Sequence, residues 1–360
     1  MSGNPVAPRP VVAHRGGVTE PSTLAPLAER VAAPAAVRVP TASALAWGHL
    51  KREDSPALTR LILACQEADG LPYRTSEEEV EEHFDSETLD VAHDTLAGRD
   101  ADGAIRAWAL ITQPAGDTRV VRAFLDGGVD PAWRRQGIGA QVLAWSQDRG
   151  RQLIVATGKE LPARIGVFTD DNATATAAAV AAAGFTPIRY YLEMRRSLAE
   201  PLPAVTAPDG VRIAPWSQEH DEAARLAHNE AFADHWGSEP RTPAQWRQNR
   251  SMFAPQWSFL ALDEATGEVA AYLLSGKYEQ DWPVAGYSSG YTEVLGTRRA
   301  WRGRGIAPAL LATMMRALQA EGIEYAELGV DTDNPSGAHG LYARLGYTPH
   351  HTETLHTIEL

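Results

Sequence analysis

The chain has 360 residues, of which 44% are hydrophobic and 22% are charged. That length exceeds what one ordinary core needs, so two domains are expected. The formal charge of −13 argues against a nucleic-acid partner, because an acidic surface repels the phosphate backbone. It suits a small cationic partner, although acidity that only maintains solubility is an equal alternative.

Other classes are disfavoured by what the sequence lacks. No segment approaches the run of about 20 apolar residues that spans a membrane, and no charged-then-apolar leader is present. Cys65 is the single cysteine, which excludes an internal disulfide and a thiolate metal cluster. We therefore expect a cytoplasmic protein without a membrane partner, and a monomer or homodimer.

Composition divides the chain into four predicted segments. Residues 1–36 are rich in Pro, Ala and Gly and are expected to be disordered. The first folded unit is predicted over 37–200, with a first strand "VRVP" at Val37. A Pro-rich linker at 201–210 then leads to a second unit over 211–360, which opens on the strand "VRIAP".

Each half repeats one order of elements. "WSFLALDEATGEVAAYLLSGKY" predicts an antiparallel hairpin in the second half, and "VAHDTLAGRDADGAIRAWALITQ" is its counterpart in the first. Another strand follows in each half. "PALLATMMRALQAEG" then predicts an amphipathic helix with Leu310, Leu311, Met314 and Leu318 on one face and a stop at Gly322. Each half is thus predicted to be a mixed α/β unit of about six or seven strands flanked by helices.

A glycine-rich turn lies between strand and helix in both halves. It reads "WRGRGIA" from Trp301 and "WRRQGIG" from Trp133, 168 positions earlier. Glycines at such a turn allow backbone N–H groups to approach an anion, and the N-terminus of the following helix favours a phosphate. The turn is therefore interpreted as a pyrophosphate site, with a tight helix entry as the alternative.

The order of strand, R-x-x-G-x-A/G turn, helix, strand, Asn, short helix and Gly-aromatic resembles the GNAT superfamily of N-acetyltransferases. The tandem arrangement is similar to that of mycothiol synthase-like double acetyltransferases. In the second half the matching positions are Arg302, Gly305, Ala307, Asn334, Tyr342, Gly346 and Tyr347. In the first half they are Arg134, Gly137, Gly139, Asn172, Gly184 and Phe185.

This resemblance implies two tandem GNAT folds, each with a mixed sheet that splays open beside the motif strand. It implies acetyl-CoA as co-substrate, with no metal. The coenzyme would contact Leu295, Gly296, Thr297, Arg302, Gly303, Arg304, Gly305, Ile306, Ala307 and Asn334. If the first half also binds it, the contacts there would be Val129, Arg134, Arg135, Gln136, Gly137, Ile138 and Gly139.

In this family the acceptor amine attacks the thioester directly, a base removes its proton and a tyrosine protonates the departing thiolate. A tyrosine hydroxyl can do this because its pKa, about 10, exceeds that of a typical thiol, about 8.5. The resemblance makes Glu293 and Tyr342 the catalytic pair. The alternatives are a solvated strand residue for Glu293 and a packing role for Tyr342.

The first half lacks both groups. The motif offset places Leu125 opposite Glu293, and aligning the later Asn and Gly places Val180 opposite Tyr342. Asp126 could replace Glu293 after a slip of one strand position, but Val180 would still leave the thiolate without a donor. Catalysis is therefore expected in the second half.

The acceptor is expected to lie beneath the helices before the hairpin. Glu230, Asp234, His235 and Trp236 are candidates for a polar, partly aromatic pocket, with helix capping and surface packing as the alternative. Tyr291 precedes Glu293 by two positions, so both side chains are expected on one face of their strand.

The tail "TPHHTETLHTIEL" carries three histidines but is interpreted as a terminal strand, because adjacent histidines on a strand point to opposite faces.

The sequence thus predicts an acetyl-CoA-dependent N-acetyltransferase that acts on a primary amine of a small molecule. Three alternatives stay open. The donor could be another acyl-CoA or an acylated carrier protein, the chain could be a non-catalytic acyl-CoA-binding protein, or it could modify a protein N-terminus or lysine.

Overall fold

The structure is a computed structural model that describes residues 24–41, 45–86, 89–114, 116–248, 250–333 and 338–360. Within this part of the chain, no helix combines the length and the hydropathy that a membrane span requires.

The first half contains six strands and six helices among its described residues. The strands are β1 (Ala46–Gly48), β2 (Thr95–Arg99), β3 (Ile105–Thr112), β4 (Val121–Val129), β5 (Ala163–Asp170) and β6 (Thr186–Ser197). The helices are α1 (Leu27–Arg30), α2 (Ser55–Ala68), α3 (Glu77–Phe84), α4 (Val91–Asp94), α5 (Ile138–Ala156) and α6 (Thr174–Ala182).

The second half repeats this plan. Its strands are β7 (Val211–Pro215), β8 (Phe259–Asp263), β9 (Val269–Gly276), β10 (Ser289–Thr297), β11 (Tyr325–Asp331) and β12 (Thr348–Glu359). Its helices are α7 (Asp221–Ala231), α8 (Pro243–Arg247), α9 (Trp282–Ala285), α10 (Ile306–Ala320) and α11 (Ala338–Arg344). The mixed α/β class, both hairpins and the terminal strand are confirmed.

All twelve strands form one sheet in the order β1-β2-β3-β4-β5-β12-β6-β11-β10-β9-β8-β7. The two halves exchange their final strands. β6 pairs with β11 of the second half, and β12 pairs with β5 of the first, both antiparallel. β6 and β12 also pair with each other, so the two halves share one continuous hydrogen-bonded sheet.

Helix α10 shows why the second half folds as predicted. Leu310, Leu311, Met314 and Leu318 are fully buried against the sheet, as their helical spacing indicates. The chain leaves the helix through Gly322, whose φ of 77° lies in the left-handed region that glycine tolerates.

Two expectations about the N-terminal region are wrong. Part of the segment expected to be disordered forms helix α1, because Leu27 and Val31 are buried in the core of the first half. The strand expected at Val37 is absent, and the first strand among the described residues is β1, which begins at Ala46, nine positions later. Residues 1–23 lie outside the described residues.

Candidate active site

Strands β10 and β11 run parallel from the Ser289–Tyr325 pair to the Thr292–Leu328 pair and then separate. Beyond this point β10 continues along β9 as far as Thr297, while β11 continues along β6. A bulge in the β9–β10 pairing lies at Glu293, between Thr292 and Val294. The gap between β10 and β11 opens into a cavity of about 640 Å³, called here the larger cavity.

Glu293 lies at the point where the two strands part, and it lines the larger cavity. The Tyr278 hydroxyl donates a hydrogen bond of 2.6 Å to Glu293 Oε1. Gly276 makes room for this pair, since a Cβ there would lie 2.4 Å from Glu293 Oε1. Burial of the carboxyl raises its pKa, and the hydrogen bond from Tyr278 opposes that rise. A raised pKa makes Glu293 a stronger base than a solvated glutamate.

Tyr342 lines the same cavity from helix α11. Its ring packs edge-on against Tyr347, with 5.9 Å between ring centroids. Burial raises the pKa of Tyr342 to about 12, so the hydroxyl keeps its proton at neutral pH and can donate it. The structure therefore brings the predicted base and the predicted acid to one cavity, and their chemical roles stay predictions.

The glycine-rich turn lies directly beyond the end of β10. Gly303 and Gly305 have φ values of 75° and 81°, which allow the backbone to fold into the N-terminus of α10. The Arg302 guanidinium donates to the Thr297 and Ala231 carbonyls at 3.2 and 2.6 Å, which fixes the turn to the strand. This conformation suits an anion held by backbone N–H groups at a helix N-terminus.

The other predicted coenzyme contacts of this half differ in position. Leu295 lines the larger cavity, whereas Gly296 lies under the Tyr272 ring, at a distance that excludes a Cβ. Ile306 is buried in the core, which leaves only its backbone for a ligand, and Arg304 stacks on Trp301 with 4.5 Å between guanidinium carbon and ring centroid. Ala307 is the second residue of α10, and Asn334 lies outside the described residues.

The turn of the first half has the same backbone shape. Arg135 and Gly137 have φ values of 62° and 77°, matching Gly303 and Gly305. Arg134 donates to the Val129 carbonyl at 3.1 Å, the counterpart of the Arg302 contact.

Arg134 is in addition bound by Asp69 at 2.5 and 3.0 Å. Of the remaining predicted contacts, Ile138 is buried, Gln136 is exposed, and a Cβ at Gly139 would lie 3.7 Å from Val129.

The two positions that would carry proton-transfer groups in the first half belong to its core. Leu125 and Val180 are buried in the same apolar cluster. Nearby, Phe124 stacks on Phe168 with 5.9 Å between ring centroids, and a Cβ at Gly166 would lie 3.1 Å from the Phe124 ring. These aromatic side chains occupy the region where β4 and β5 part.

The four residues predicted to bind the acceptor fall into two groups, of which only one lines a cavity. Glu230 forms an ion pair of 2.7 Å with Arg298, and Asp234 forms one with Arg299, so both carboxylates are bound to the segment that leads into the turn. Neither lines a cavity described here, and the expectation that they bind the acceptor is not supported by this placement. His235 and Trp236 do line the larger cavity.

Tyr291 lines a second cavity of about 340 Å³, called here the smaller cavity. Glu293 lines both cavities, so the smaller one adjoins the site of the predicted base. The smaller cavity carries six carboxylates, namely Asp170, Glu193, Asp281, Glu293, Glu327 and Glu353. Sequence analysis missed five of them. The single glutamates inside the apolar strands "YYLEM" and "YAELGV" could have indicated buried carboxylates. The exchange of β6 and β12, which brings them together, cannot be inferred from the sequence.

A splayed sheet, a glycine-rich turn at a helix N-terminus, and a glutamate and a tyrosine at one cavity are the features expected of an acyltransferase. Comparison with known proteins makes this specific. The model of the "Acetyltransferase (GNAT) family" matches residues 222–347. A mycothiol acetyltransferase of Tsukamurella paurometabola is 30% identical over 250 residues, which cover 67% of this chain and 78% of that protein.

Two solved structures agree with the tandem fold. A GCN5-related N-acetyltransferase from Sphaerobacter thermophilus superposes with a TM-score of 0.66 and 28% identity, covering 89% of this chain and 97% of that one. A tandem GNAT protein from the clavulanic acid biosynthesis pathway gives a TM-score of 0.63 at 19% identity, covering 88% and 98%. The chain belongs to the GNAT family of acetyltransferases and is an N-acetyltransferase.

Proposed function

We propose that this protein transfers the acetyl group of acetyl-CoA to a primary amine of a small molecule, and that residues 211–360 carry the catalysis. The observation that supports this most is that Glu293 and Tyr342 line one cavity at the parting of β10 and β11. The equivalent positions in the first half, Leu125 and Val180, are buried and cannot transfer protons.

The proton steps follow from these two side chains. An alkyl ammonium has a pKa near 10 and must lose a proton before its nitrogen can attack. Glu293 accepts that proton, directly or through a water molecule. As the new C–N bond forms and the C–S bond breaks, Tyr342 gives its proton to the sulfur. The second proton on nitrogen leaves to solvent, and exchange with solvent then removes the proton from Glu293 and returns one to Tyr342, so that amide, thiol and one released proton balance the reaction.

The donor is proposed to be acetyl-CoA because of the turn beyond β10. Gly303 and Gly305 hold backbone N–H groups open at the N-terminus of α10, where a pyrophosphate would be stabilised. The pantetheine arm would then run along Val294 and Leu295, which face the gap between the strands. Carrier-bound acyl groups share the pantetheine but not the nucleotide, so affinity for CoA itself distinguishes the donors.

The test is an amine panel with acetyl-CoA, followed by release of free thiol. We expect Tyr342→Phe and Glu293→Gln each to lower kcat by about 100-fold or more, the usual contribution of a positioned acid or base. Tyr347→Phe is the matched control, because it removes a buried hydroxyl from the ring that packs on Tyr342. It should leave kcat close to that of the unmodified protein.

Two results would contradict the proposal. Turnover by Tyr342→Phe at the rate of the unmodified protein would exclude Tyr342 as the acid. Tight binding of acetyl-CoA without acetylation of any amine in the panel would favour a non-catalytic acyl-CoA-binding protein.

A further inference from the structure

The smaller cavity is formed jointly by the two halves. Its floor is the face of four neighbouring strands, β10, β11, β6 and β12. Glu293 and Tyr291 come from β10, whereas Glu193 comes from β6 of the first half. Tyr73 and Asp170 of the first half complete the wall. The exchanged strand β6 therefore places first-half side chains beside the proposed base.

The smaller cavity is lined by acidic side chains, and no lysine or arginine among the described residues of the lining neutralises their charge. Of its six carboxylates, only Asp170 is within ion-pair distance of a basic side chain in the described part of the chain, at 3.7 Å from His351 Nε2. Burial and mutual repulsion raise the pKa of Glu193, Asp281 and Glu353 to about 7. Burial lowers the pKa of His351 to about 4, so this ring stays neutral and offsets none of the negative charge.

Two Tyr–Glu pairs of the same construction face this space. Tyr278 donates to Glu293, and Gly276 leaves the room that the pair needs. Tyr291 donates to both oxygens of Glu193 at 3.2 and 3.1 Å. Here Gly329 leaves the room, since a Cβ there would lie 2.6 Å from Glu193 Oε1 and 2.9 Å from the Tyr291 hydroxyl. Each glutamate thus accepts a hydrogen bond from a tyrosine hydroxyl, next to a glycine that leaves room for it.

The spacing of the two pairs follows from the sheet. β10 and β6 are separated by β11 alone, and paired strands lie about 4.8 Å apart, so the two glutamates project from backbones at least about 10 Å apart, because β10 and β11 have begun to separate at Glu293. The carboxylate of Glu353, on the next strand β12, has no hydrogen bond or ion pair with another described residue, and it lies on the Glu193 side of the cavity. One elongated molecule can therefore contact Glu293 at one end of the smaller cavity and Glu193 and Glu353 at the other.

We propose that the acceptor is a diamine or polyamine, whose reacting amine lies at Glu293 while Glu193 and Glu353 bind its second ammonium group. This inference rests on the proposed function and names the substrate class of the same site. An organic cation fits better than a metal ion, because no group of three or more His, Cys, Asp or Glu side chains among the described residues has metal-binding geometry. The Tyr291 hydroxyl oxygen and the Glu193 carboxylate can both accept hydrogen bonds from an ammonium N–H group.

The test compares cadaverine with aminopentanol, in which a hydroxyl replaces the second ammonium. We expect kcat/KM for cadaverine to exceed that for aminopentanol by at least tenfold. In Glu193→Gln this preference should fall to near unity, through a higher KM with little change in kcat, because the second ammonium does not react. Glu353→Gln should reduce the preference too. Glu321→Gln removes an exposed carboxylate from the end of α10 and should leave the preference unchanged.

Calorimetry separates this inference from the proposed function. Cadaverine should bind the full-length protein, and the heat should be lost in Glu193→Gln, whether or not acetylation is observed. Equal kcat/KM for the two amines, a preference that survives Glu193→Gln, or absence of cadaverine binding would each overturn the inference. Magnesium chloride that reproduces the cadaverine heat with the same dependence on Glu193 would also overturn it.

Discussion

Replacing His228 by glutamine should remove one contribution to the acid sensitivity of this fold. His228 is only 4% exposed, and its Nδ1 and the Tyr272 hydroxyl form a hydrogen bond of 2.6 Å. The imidazole stacks on Phe232 with 4.6 Å between ring centroids. Tyr272 in turn packs against Gly296 of β10, so this cluster supports the strand that carries Glu293.

The magnitude follows from the pKa of His228. Burial, with a smaller effect from the charge of Arg241, lowers this pKa to about 3, whereas a histidine in the unfolded chain has a pKa of about 6.5. Between these values the unfolded chain binds the proton more strongly, so the contribution of His228 to stability is present above pH 6.5 and is lost as the pH falls toward 3. At pH 5 the difference of about 1.5 units corresponds to about 2 kcal/mol.

Glutamine retains an acceptor for the Tyr272 hydroxyl but does not titrate. The assay is urea unfolding, followed by tryptophan fluorescence at about pH 7.5 and about pH 5, for the unmodified protein and for His228→Gln. The advantage of histidine over glutamine should shrink by about 2 kcal/mol between the two pH values. His49→Gln, at an exposed histidine, is the control.

Carboxylates such as Glu193 and Glu353, whose pKa values are raised, act in the opposite direction, since the folded chain binds their protons more strongly. They are common to both proteins and cancel in the difference. An advantage of histidine that is the same at both pH values would refute the reasoning, because the buried ring would then titrate as it does in the unfolded chain.

Two further predictions concern the active site. Tyr278→Phe removes the hydrogen bond that lowers the pKa of Glu293, so the acid limb of the pH profile of kcat/KM should move to higher pH. An acid limb that stays in place would contradict Glu293 as the base. Gly305→Ala forces an alanine to a φ of 81°, which costs about 1–2 kcal/mol and should raise the KM for acetyl-CoA. The matched variant Gly137→Ala, where φ is 77°, should destabilise the fold comparably and leave the KM for acetyl-CoA unchanged. An equal rise of this KM in both variants would instead indicate that both halves bind the donor.

Local signals in the sequence predicted the parts of the site that local structure determines. The turn around Gly303 and Gly305, the buried face of α10 and the two hairpins follow from residues that are close in sequence. Glu293 and Tyr342 are 49 positions apart by their numbers, and the family resemblance brought them together where spacing alone could not.

The errors arose where distant segments meet. Glu230 and Asp234 have the composition of a polar pocket, but Arg298 and Arg299 bind them, and no local pattern reveals such pairing. Leu27 lies in a segment whose composition is typical of disorder, yet Leu27 and Val31 are both buried in the core of the first half and hold a short helix against it.

The exchange of β6 and β12 changes what the first half contributes. Its positions for proton transfer, Leu125 and Val180, are core residues, so it can lose the chemistry without exposing a cavity. Its final strand, in contrast, cannot be removed without leaving β11 unpaired on one side and removing Glu193 from the smaller cavity. The first half therefore supports the second through the sheet and through the wall of the smaller cavity. If the proposed assignment of Glu193 is correct, one half supplies the proton transfers and the other helps to select the amine.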